Sequence, residues 1–354
     1  IGLSEPHLAG KEWDYLKECL DTAWVSSAGP FVERFEKDMA AYLGGDVQAV
    51  AVVNGTSALH IALLLAGVDA DDEVLVPDLT FIAPAFAVRY CGAWPVLTDV
   101  EPGTWQMDPV VVKRFLAEDC HVEQGGLVNK KSGRRIKALL PVHLLGQPVD
   151  MDPVKALAKE YGLAVVEDAT ESLGALYKGQ PVGTLGDLAC LSFNGNKLIT
   201  TGGGGMIITR NHQLAERARY LTTQAKDDPL EYIHGSVGYN YRLTNLQAAV
   251  GCAQLEQIKG IIQKKRAIAR RYDEGLADCP GIRLMPRSDW SESVFWLYTV
   301  LVDSKRYGID RKELMRRLAG ASIQARPLWQ PLHLSPALAG CQSLGGATAA
   351  SIQE

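Results

Sequence analysis

Short apolar runs alternate with amphipathic stretches between about residues 47 and 210. The apolar runs are rich in valine, leucine and isoleucine, as expected for strands that are buried on both faces. This alternation predicts an α/β fold with a mostly parallel sheet and helices on both sides, whose ligands bind at the carboxyl ends of the strands. We predict strands at 47–53, 73–77, 94–100, 136–142, 163–168, 188–193 and 205–209, and helices at 54–66, 83–90 and 153–161.

The pattern changes near residue 246, where a long proline-free stretch with helical period runs to about residue 276. A strand at 295–302, a helix at 311–318 and a strand at 322–325 should follow it as a smaller α/β domain. We therefore expect a large domain with an N-terminal arm at 1–250 and a small C-terminal domain at 251–354. The polar, glycine-containing stretch at 121–135 is predicted to be an inserted loop or hairpin.

Composition narrows the class of protein without assigning a function. The 354 residues are 47% hydrophobic and 22% charged, which is typical of a globular protein. A net charge of -5 argues against nucleic acid as a partner. The seven cysteines have no metal-ligand spacing and no C-x-x-C, which favours free thiols in a reducing compartment. The absence of metal-ligand spacing also predicts that there is no metal site. Since no apolar run reaches membrane-spanning length, we expect a cytoplasmic protein.

Two residues that follow predicted strands are candidates for cofactor chemistry. Asp168 ends a buried strand, where an acid is costly without a partner, although it could simply cap the next segment. Lys197 lies 29 residues further on, just before a run of four glycines at 202–205. A lysine that forms a Schiff base needs such a close-packed strand-end loop, although Lys197 could also be an ordinary surface residue.

A third feature is suited to binding an anion. Asn54-Gly55-Thr56-Ser57 joins a predicted strand to a helix, and a helix N-terminus offers unpaired N–H groups to a phosphate. An ordinary helix cap is the alternative, and the Ser192 hydroxyl could add a donor. A carboxylate, a lysine and a phosphate cradle are the three supports that pyridoxal phosphate requires.

With these supports in order, the chain resembles the DegT/DnrJ/EryC1/StrS family of sugar aminotransferases, which have the fold-type-I aminotransferase fold. The resemblance spans nearly the whole chain. Its matching stretches are GPFVERFE at 29–36, NGTSAL at 54–59, PDLTF at 77–81, PVHLLGQP at 141–148, EDA at 167–169, GD at 186–187, SF at 192–193 followed by Lys197, and GYNYR at 238–242 running into QAA at 247–249.

The resemblance implies a homodimer that binds pyridoxal phosphate in shared sites. Glu171 stands where family members often have glutamine near the phenolic oxygen of the cofactor. Core packing remains the alternative for Phe81, and a turn for Asn240. The implied roles are catalysis by Lys197, pairing of Asp168 with the pyridine nitrogen, contact of Phe81 with the ring, phosphate binding by the amides of Gly55, Thr56 and Ser57 and the hydroxyl of Ser192, and phosphate binding by Asn240 of the neighbouring subunit.

The resemblance also suggests substrates. His143, Arg326 and His333 are candidate substrate contacts, with a purely structural role as the alternative for His143. Segments 24–29, 129–135 and 167–172 resemble enzymes that transfer an amino group from glutamate to C4 of a UDP-linked 2-acetamido-4-keto-6-deoxy sugar, for bacterial surface polysaccharides such as lipopolysaccharide O-antigen.

Other substrates and activities remain open. A GDP-linked 4-keto-6-deoxymannose aminotransferase of the perosamine type and a 3-keto-sugar aminotransferase are the alternatives within the family. A pyridoxal phosphate-dependent dehydratase and a non-catalytic regulator that binds the cofactor fit the sequence less well.

The inserted segment contains four basic residues that are expected to line the mouth of the site: Lys130, Lys131, Arg134 and Arg135. A solvated hairpin is the alternative. Because relatives continue beyond the position of Glu354, we also expect a shortened C-terminus.

Overall fold

The computed structural model describes residues 1–228 and 230–354. Its helices are α1 (Glu12–Asp21), α2 (Pro30–Tyr42), α3 (Gly55–Leu65), α4 (Ala83–Tyr90), α5 (Pro109–Arg114), α6 (Met151–Tyr161), α7 (His212–Thr222), α8 (Asn245–Glu256), α9 (Ile258–Leu276), α10 (Ser304–Tyr307), α11 (Arg311–Gly320) and α12 (Ala347–Gln353). A π-helical turn at Phe115–Asp119 and 3-10 turns at Leu144–Gly146, Leu332–Leu334 and Pro336–Leu338 complete the helical structure.

Most strands belong to one large sheet. The strands are β1 (Gln48–Val52), β2 (Glu73–Pro77), β3 (Trp94–Thr98), β4 (Cys120–Glu123), β5 (Gly126–Asn129), β6 (Arg135–Leu139), β7 (Ala164–Asp168), β8 (Leu176–Tyr177), β9 (Gln180–Pro181), β10 (Leu188–Ser192), β11 (Gly205–Thr209), β12 (Lys226–Asp228), β13 (Ile233–His234), β14 (Ile282–Arg283), β15 (Ser291–Glu292), β16 (Leu301–Val302) and β17 (Ser343–Leu344).

The large sheet is mixed but mostly parallel, in the order β1-β11-β10-β7-β6-β2-β3-β17. Only β11 runs against its two neighbours on this path. Strands β1, β7 and β10 therefore point the same way, and their carboxyl ends meet at one edge. This arrangement confirms the predicted α/β class and places a site at that edge.

The two faces of the sheet bury separate apolar layers because side chains alternate along each strand. Ala51 and Val165 pack on the face covered by α2 and α8, whereas Val52 and Val166 pack on the face covered by α3 and α4. Helix α3 is apolar on nearly all sides and lies almost entirely inside the protein. The helix that carries the candidate phosphate cradle is therefore fixed firmly against the sheet.

The C-terminal part differs from the prediction in several elements. The long helix is two helices, α8 and α9, separated at Gln257. Of the predicted strand at 295–302 only Leu301–Val302 forms, because its neighbour Ile282–Arg283 pairs with no more than two residues. Segment 322–325 is not a strand. Strand β17 returns to the large sheet beside β3, and the domain boundary near residue 250 stays a prediction.

Candidate active site

Three candidate residues lie at the same edge of the large sheet. Asp168 ends β7, Lys197 follows β10, and Gly55 begins α3 directly after β1. A Cβ atom added to Gly55 would lie 2.9 Å from Ser192 Cβ and 3.2 Å from Thr170 Cγ2. Since real Cβ atoms do not approach other atoms so closely, glycine is required where these three loops converge.

Asp168 is a buried carboxyl, and among the described residues only Thr170 donates hydrogen bonds to it. The Thr170 amide donates to Asp168 Oδ1 at 3.0 Å. Burial raises the pKa of Asp168, while hydrogen bonds from Thr170 and the charge of Lys197 oppose the rise. A cation bound beside this carboxyl would favour its ionised form, and the pyridinium nitrogen of pyridoxal phosphate is such a cation.

The neighbouring acid, Glu167, has a structural role. Its carboxylate is fully buried and accepts from the amides of Gly183, Leu185 and Gly186 and from the His143 ring. Burial raises the pKa of Glu167, but the bond from His143 and the amides outweigh it and lower the pKa overall. Of the two acids that end β7, Asp168 is thus the one available to a ligand.

Lys197 is held with its amine in a cleft of about 280 Å³. Its Nζ lies 4.0 Å from the centre of the Trp296 ring and 3.7 Å from Glu171 Oε1. The loop is fixed because Asn196 O accepts from Trp296 Nε1 at 2.6 Å and from Ser4 Oγ at 2.8 Å. The amine is therefore partly shielded from water yet accessible to a ligand in the cleft.

Glu171 also lines this cleft, and its carboxyl is only 5% exposed. The amide of Leu145, a residue with a φ of 58°, donates to Glu171 Oε2 at 2.7 Å. Burial raises the pKa of Glu171 to about 7, although Lys197 and this amide favour the ionised form. Near neutral pH the side chain can therefore either donate or accept a hydrogen bond.

The phosphate cradle lies at the start of α3. Asn54 Oδ1 accepts from the Ser57 amide at 2.8 Å, so the helix cap competes with a phosphate for this amide, and phosphate binding by Ser57 stays a prediction. The amides of Gly55 and Thr56 have no acceptor among the residues that the structure describes. Together with the nearby Ser192 hydroxyl, they form a place for an anion.

Aromatic rings and one arginine form the outer wall of the cleft. Phe81 is half exposed, and its ring centre lies 6.3 Å from that of Trp329. Trp329 in turn stacks on Trp296 at 6.4 Å. The Arg326 guanidinium lines the cleft and donates to the Ala325 carbonyl at 3.0 Å. Phe81 and Arg326 thus line the same cleft as Lys197, and their contacts with cofactor and substrate stay predictions.

The two histidines lie elsewhere. His143 is fully buried, its Nε2 lies 2.9 Å from Glu167 Oε2, and its Nδ1 accepts from the Val149 amide at 3.0 Å. The hypothesis that it contacts a substrate is wrong, because both ring nitrogens are occupied inside the protein. His333 is paired with the buried Asp78 through Nδ1 at 2.5 Å and does not line the cleft of Lys197.

The basic hairpin does not reach the mouth of the site. Arg135 Nε lies 3.0 Å from Asp72 Oδ1, and the Arg134 guanidinium covers the Trp94 ring at 4.5 Å. Asp72 and Trp94 lie at the amino ends of β2 and β3, opposite the edge with Lys197. The prediction that this hairpin lines the site is wrong because the insertion precedes β6 rather than following it.

Asn240 does not contribute to the cleft of its own chain. It is exposed and pairs with Thr223 in an isolated bridge, next to the bond from the Val53 amide to Tyr241 O. Its role in a neighbouring subunit stays a prediction.

Sequence reasoning missed two residues at the site. Thr170, which holds Asp168, could have been found from its position two residues after the acid, a common spacing for such turns. Trp296 carried no such signal, because it lies far along the chain and only folding brings its ring to Lys197.

Neither a membrane-spanning helix nor a metal-binding cluster occurs in the part of the chain that the structure describes. Across residues 1–228 and 230–354, no helix is long and apolar enough to cross a membrane. Within the same ranges, no group of three or more histidine, cysteine, aspartate or glutamate side chains is arranged to hold a metal ion.

Known proteins match this chain along nearly its whole length. The sequence profile of the DegT/DnrJ/EryC1/StrS aminotransferase family matches residues 6–350. GDP-perosamine synthase of Caulobacter vibrioides is 41% identical over 342 residues, covering 95% of this chain and 86% of the relative. GDP-perosamine synthase of Escherichia coli O157:H7 is 40% identical over 337 residues, with 95% and 86% covered. The crystal structure of the aminotransferase TlmJ from Streptoalloteichus hindustanus has a TM-score of 0.87 at 31% identity, covering 100% of this chain and 91% of that one.

Proposed function

This chain belongs to the DegT/DnrJ/EryC1/StrS aminotransferase family, and from that premise we propose that it aminates C4 of GDP-linked 4-keto-6-deoxymannose. It is a pyridoxal phosphate-dependent sugar aminotransferase with the aminotransferase fold. The relatives named GDP-perosamine synthase support the GDP-linked substrate. One argument for the UDP-linked sugar, the basic hairpin, no longer applies, because this hairpin lies at the end of the sheet opposite Lys197.

The residues that converge at this edge of the sheet fit the cofactor. Asp168 supplies a buried carboxyl for the pyridine nitrogen, and Lys197 supplies an amine at the same edge of the sheet. The amides of Gly55 and Thr56 and the hydroxyl of Ser192 supply donors for the phosphate. Bound there, pyridoxal phosphate supplies an electron sink for the negative charge that develops when a carbon loses its proton.

The protein supplies position and proton transfer. With the cofactor bound, Lys197 would hold it through Nζ and would act as the base that takes the proton from Cα of the amino donor. The same amine would deliver a proton to C4 of the sugar, so it would serve both half-reactions and ping-pong kinetics are expected. Trp296, packed over Nζ at 4.0 Å, limits the access of water to this amine.

The outer cleft suits a nucleotide sugar. Phe81, Trp296 and Trp329 offer apolar faces to a base or sugar ring, and Arg326 offers a guanidinium fork to a pyrophosphate or to the carboxylate of glutamate, the proposed amino donor. This combination supports a large anionic substrate rather than a free amino acid alone.

We further propose that the active unit is a homodimer with Asn240 completing the partner's phosphate site. The segment that leads to Asn240 exposes large apolar side chains, among them Leu230 at 86%, Tyr232 at 70% and Val237 at 80%. Apolar surface of this extent on neighbouring residues favours a contact with another protein surface.

The substrate is tested by turnover. Purified enzyme with glutamate is supplied with GDP-linked 4-keto-6-deoxymannose or with the UDP-linked 2-acetamido-4-keto-6-deoxy sugar. We expect kcat/KM to favour the GDP-linked sugar by about a hundredfold or more, since a site that bonds one base rejects another by a few kcal/mol. Preference for the UDP-linked sugar would overturn the substrate and leave the aminotransferase activity intact.

A further inference from the structure

A second cavity lies directly behind one wall of the active-site cleft. It has a volume of about 220 Å³, and Phe295 lines it while the next residue, Trp296, lines the cleft of Lys197. Three arginines, Arg266, Arg270 and Arg287, line the same cavity. We call it the arginine pocket, and the mechanism described above makes no use of it.

The lining of the arginine pocket holds three arginines and, among the described residues, one acid. That acid, Glu292, pairs with Arg266 at 3.3 Å. Arg287 pairs with Asp273, which lies outside the lining. The side chain of Arg270 forms no hydrogen bond or ion pair with any residue in the described ranges, so its charge is the one in the lining without an acidic partner. Such a pocket attracts a small anion, and guanidinium groups suit phosphate oxygens.

A buried amide adds a second requirement to the ligand. Gln147 is 1% exposed and lines the pocket, and its Nε2 donates to Ser291 Oγ at 2.6 Å. Ser291 Oγ in turn donates to Ser288 O, so in this arrangement Ser291 has no proton left for Gln147 Oε1. Gln147 Oε1 has no hydrogen-bond donor among the described residues, which is costly for a buried acceptor.

An anion alone would leave the carbonyl of Gln147 unsatisfied, because it offers no proton. We propose that the arginine pocket binds a phosphate group together with a hydroxyl donor, either as hydrogen phosphate or as a sugar phosphate. The guanidinium of Arg270, with Arg266 beside it, binds the phosphate oxygens, and the hydroxyl donates to Gln147 Oε1. Sulfate carries no proton at neutral pH and satisfies only the arginines.

The proposal is tested by isothermal titration calorimetry on the enzyme loaded with pyridoxal phosphate, so that the cofactor's own phosphate site is filled. The ligands are sodium phosphate, glucose 1-phosphate and, for comparison, sodium sulfate at matched ionic strength. We expect saturable binding of at least one phosphate ligand, and which one binds identifies the source. Sulfate should bind at least about tenfold more weakly, since it leaves the buried carbonyl of Gln147 unsatisfied, which costs about 1–3 kcal/mol.

Two exposed arginines provide a matched pair of variants. Arg270→Gln should weaken phosphate binding at least about tenfold. Arg271→Gln makes the same charge change on the next residue of α9, outside the pocket, and should leave binding unchanged. Absence of phosphate binding, equal affinity for sulfate, or equal effects of the two variants would overturn the proposal. So would phosphate binding that is lost in Arg326→Gln but kept in Arg270→Gln, because the ligand would then occupy the active-site cleft.

Discussion

Replacing Glu171 with glutamine should change how the stability of the protein depends on pH. Glu171 is 5% exposed, and burial raises its pKa from 4.5 to about 7. Between these values the native protein keeps a proton that the unfolded chain has lost. Its contribution to stability is therefore full below about pH 4.5 and is lost as pH rises to about 7. At about 1.4 kcal/mol per pH unit, this amounts to about 3 kcal/mol.

Glutamine has a similar shape and does not ionise, so Glu171→Gln should lack this loss. We expect the variant to gain about 3 kcal/mol relative to the natural protein between about pH 4.5 and pH 8. The measurement is urea denaturation of cofactor-free protein across this range, followed by circular dichroism at fixed protein concentration. Glu118→Gln, at an exposed glutamate, is the control and should show no such trend.

One result would contradict this reasoning about Glu171. If the stabilities of variant and natural protein run parallel across the range, the carboxyl is already ionised in the native protein at about pH 4.5, and its pairing with Lys197 outweighs burial.

Three further predictions concern the active site and the dimer. Lys197→Ala should lose the visible absorbance of the lysine-bound cofactor and slow turnover by on the order of 10²–10⁴-fold, and borohydride labelling of a different lysine would contradict this assignment. Asp168→Asn should lower kcat by on the order of 10²-fold while changing cofactor affinity less, measured by steady-state kinetics and fluorescence titration; an unchanged kcat would exclude the proposed role. Sedimentation of the enzyme should show a dimer. Asn240→Ala should weaken cofactor binding while the protein remains a dimer. A fully active monomer would refute the shared site.

The sequence by itself predicted the α/β architecture of the sheet and pyridoxal phosphate as the cofactor, while the roles of the individual cofactor residues stay predictions. Strands buried on both faces leave a continuous apolar signal, so β2, β7, β10 and β11 were placed correctly or to within a few residues. The chemistry of pyridoxal phosphate then singled out Asp168 and Lys197, because each follows a strand whose carboxyl end lies at the same edge of the sheet.

Short strands in the C-terminal part were predicted poorly. The apolar pattern at 295–302 favours a strand, but a strand forms only as far as a neighbour pairs with it, and Ile282–Arg283 pairs with two residues. The pattern of one segment contains no information about the length of its partner.

Only the tertiary structure decided which polar residues face the site. Glu167 and Asp168 are adjacent acids in the sequence, yet backbone amides from 183–186 satisfy the first and leave the second to a ligand. His143 looked available but has both ring nitrogens occupied, and the basic hairpin lies at the wrong end of the sheet. Trp296 reaches Lys197 from a distant part of the chain. The local pattern of hydrophobic and polar residues indicates which positions are buried and which secondary structure forms. Hydrogen-bond partners and neighbouring charges depend instead on contacts between distant segments, which exist only once the chain has folded.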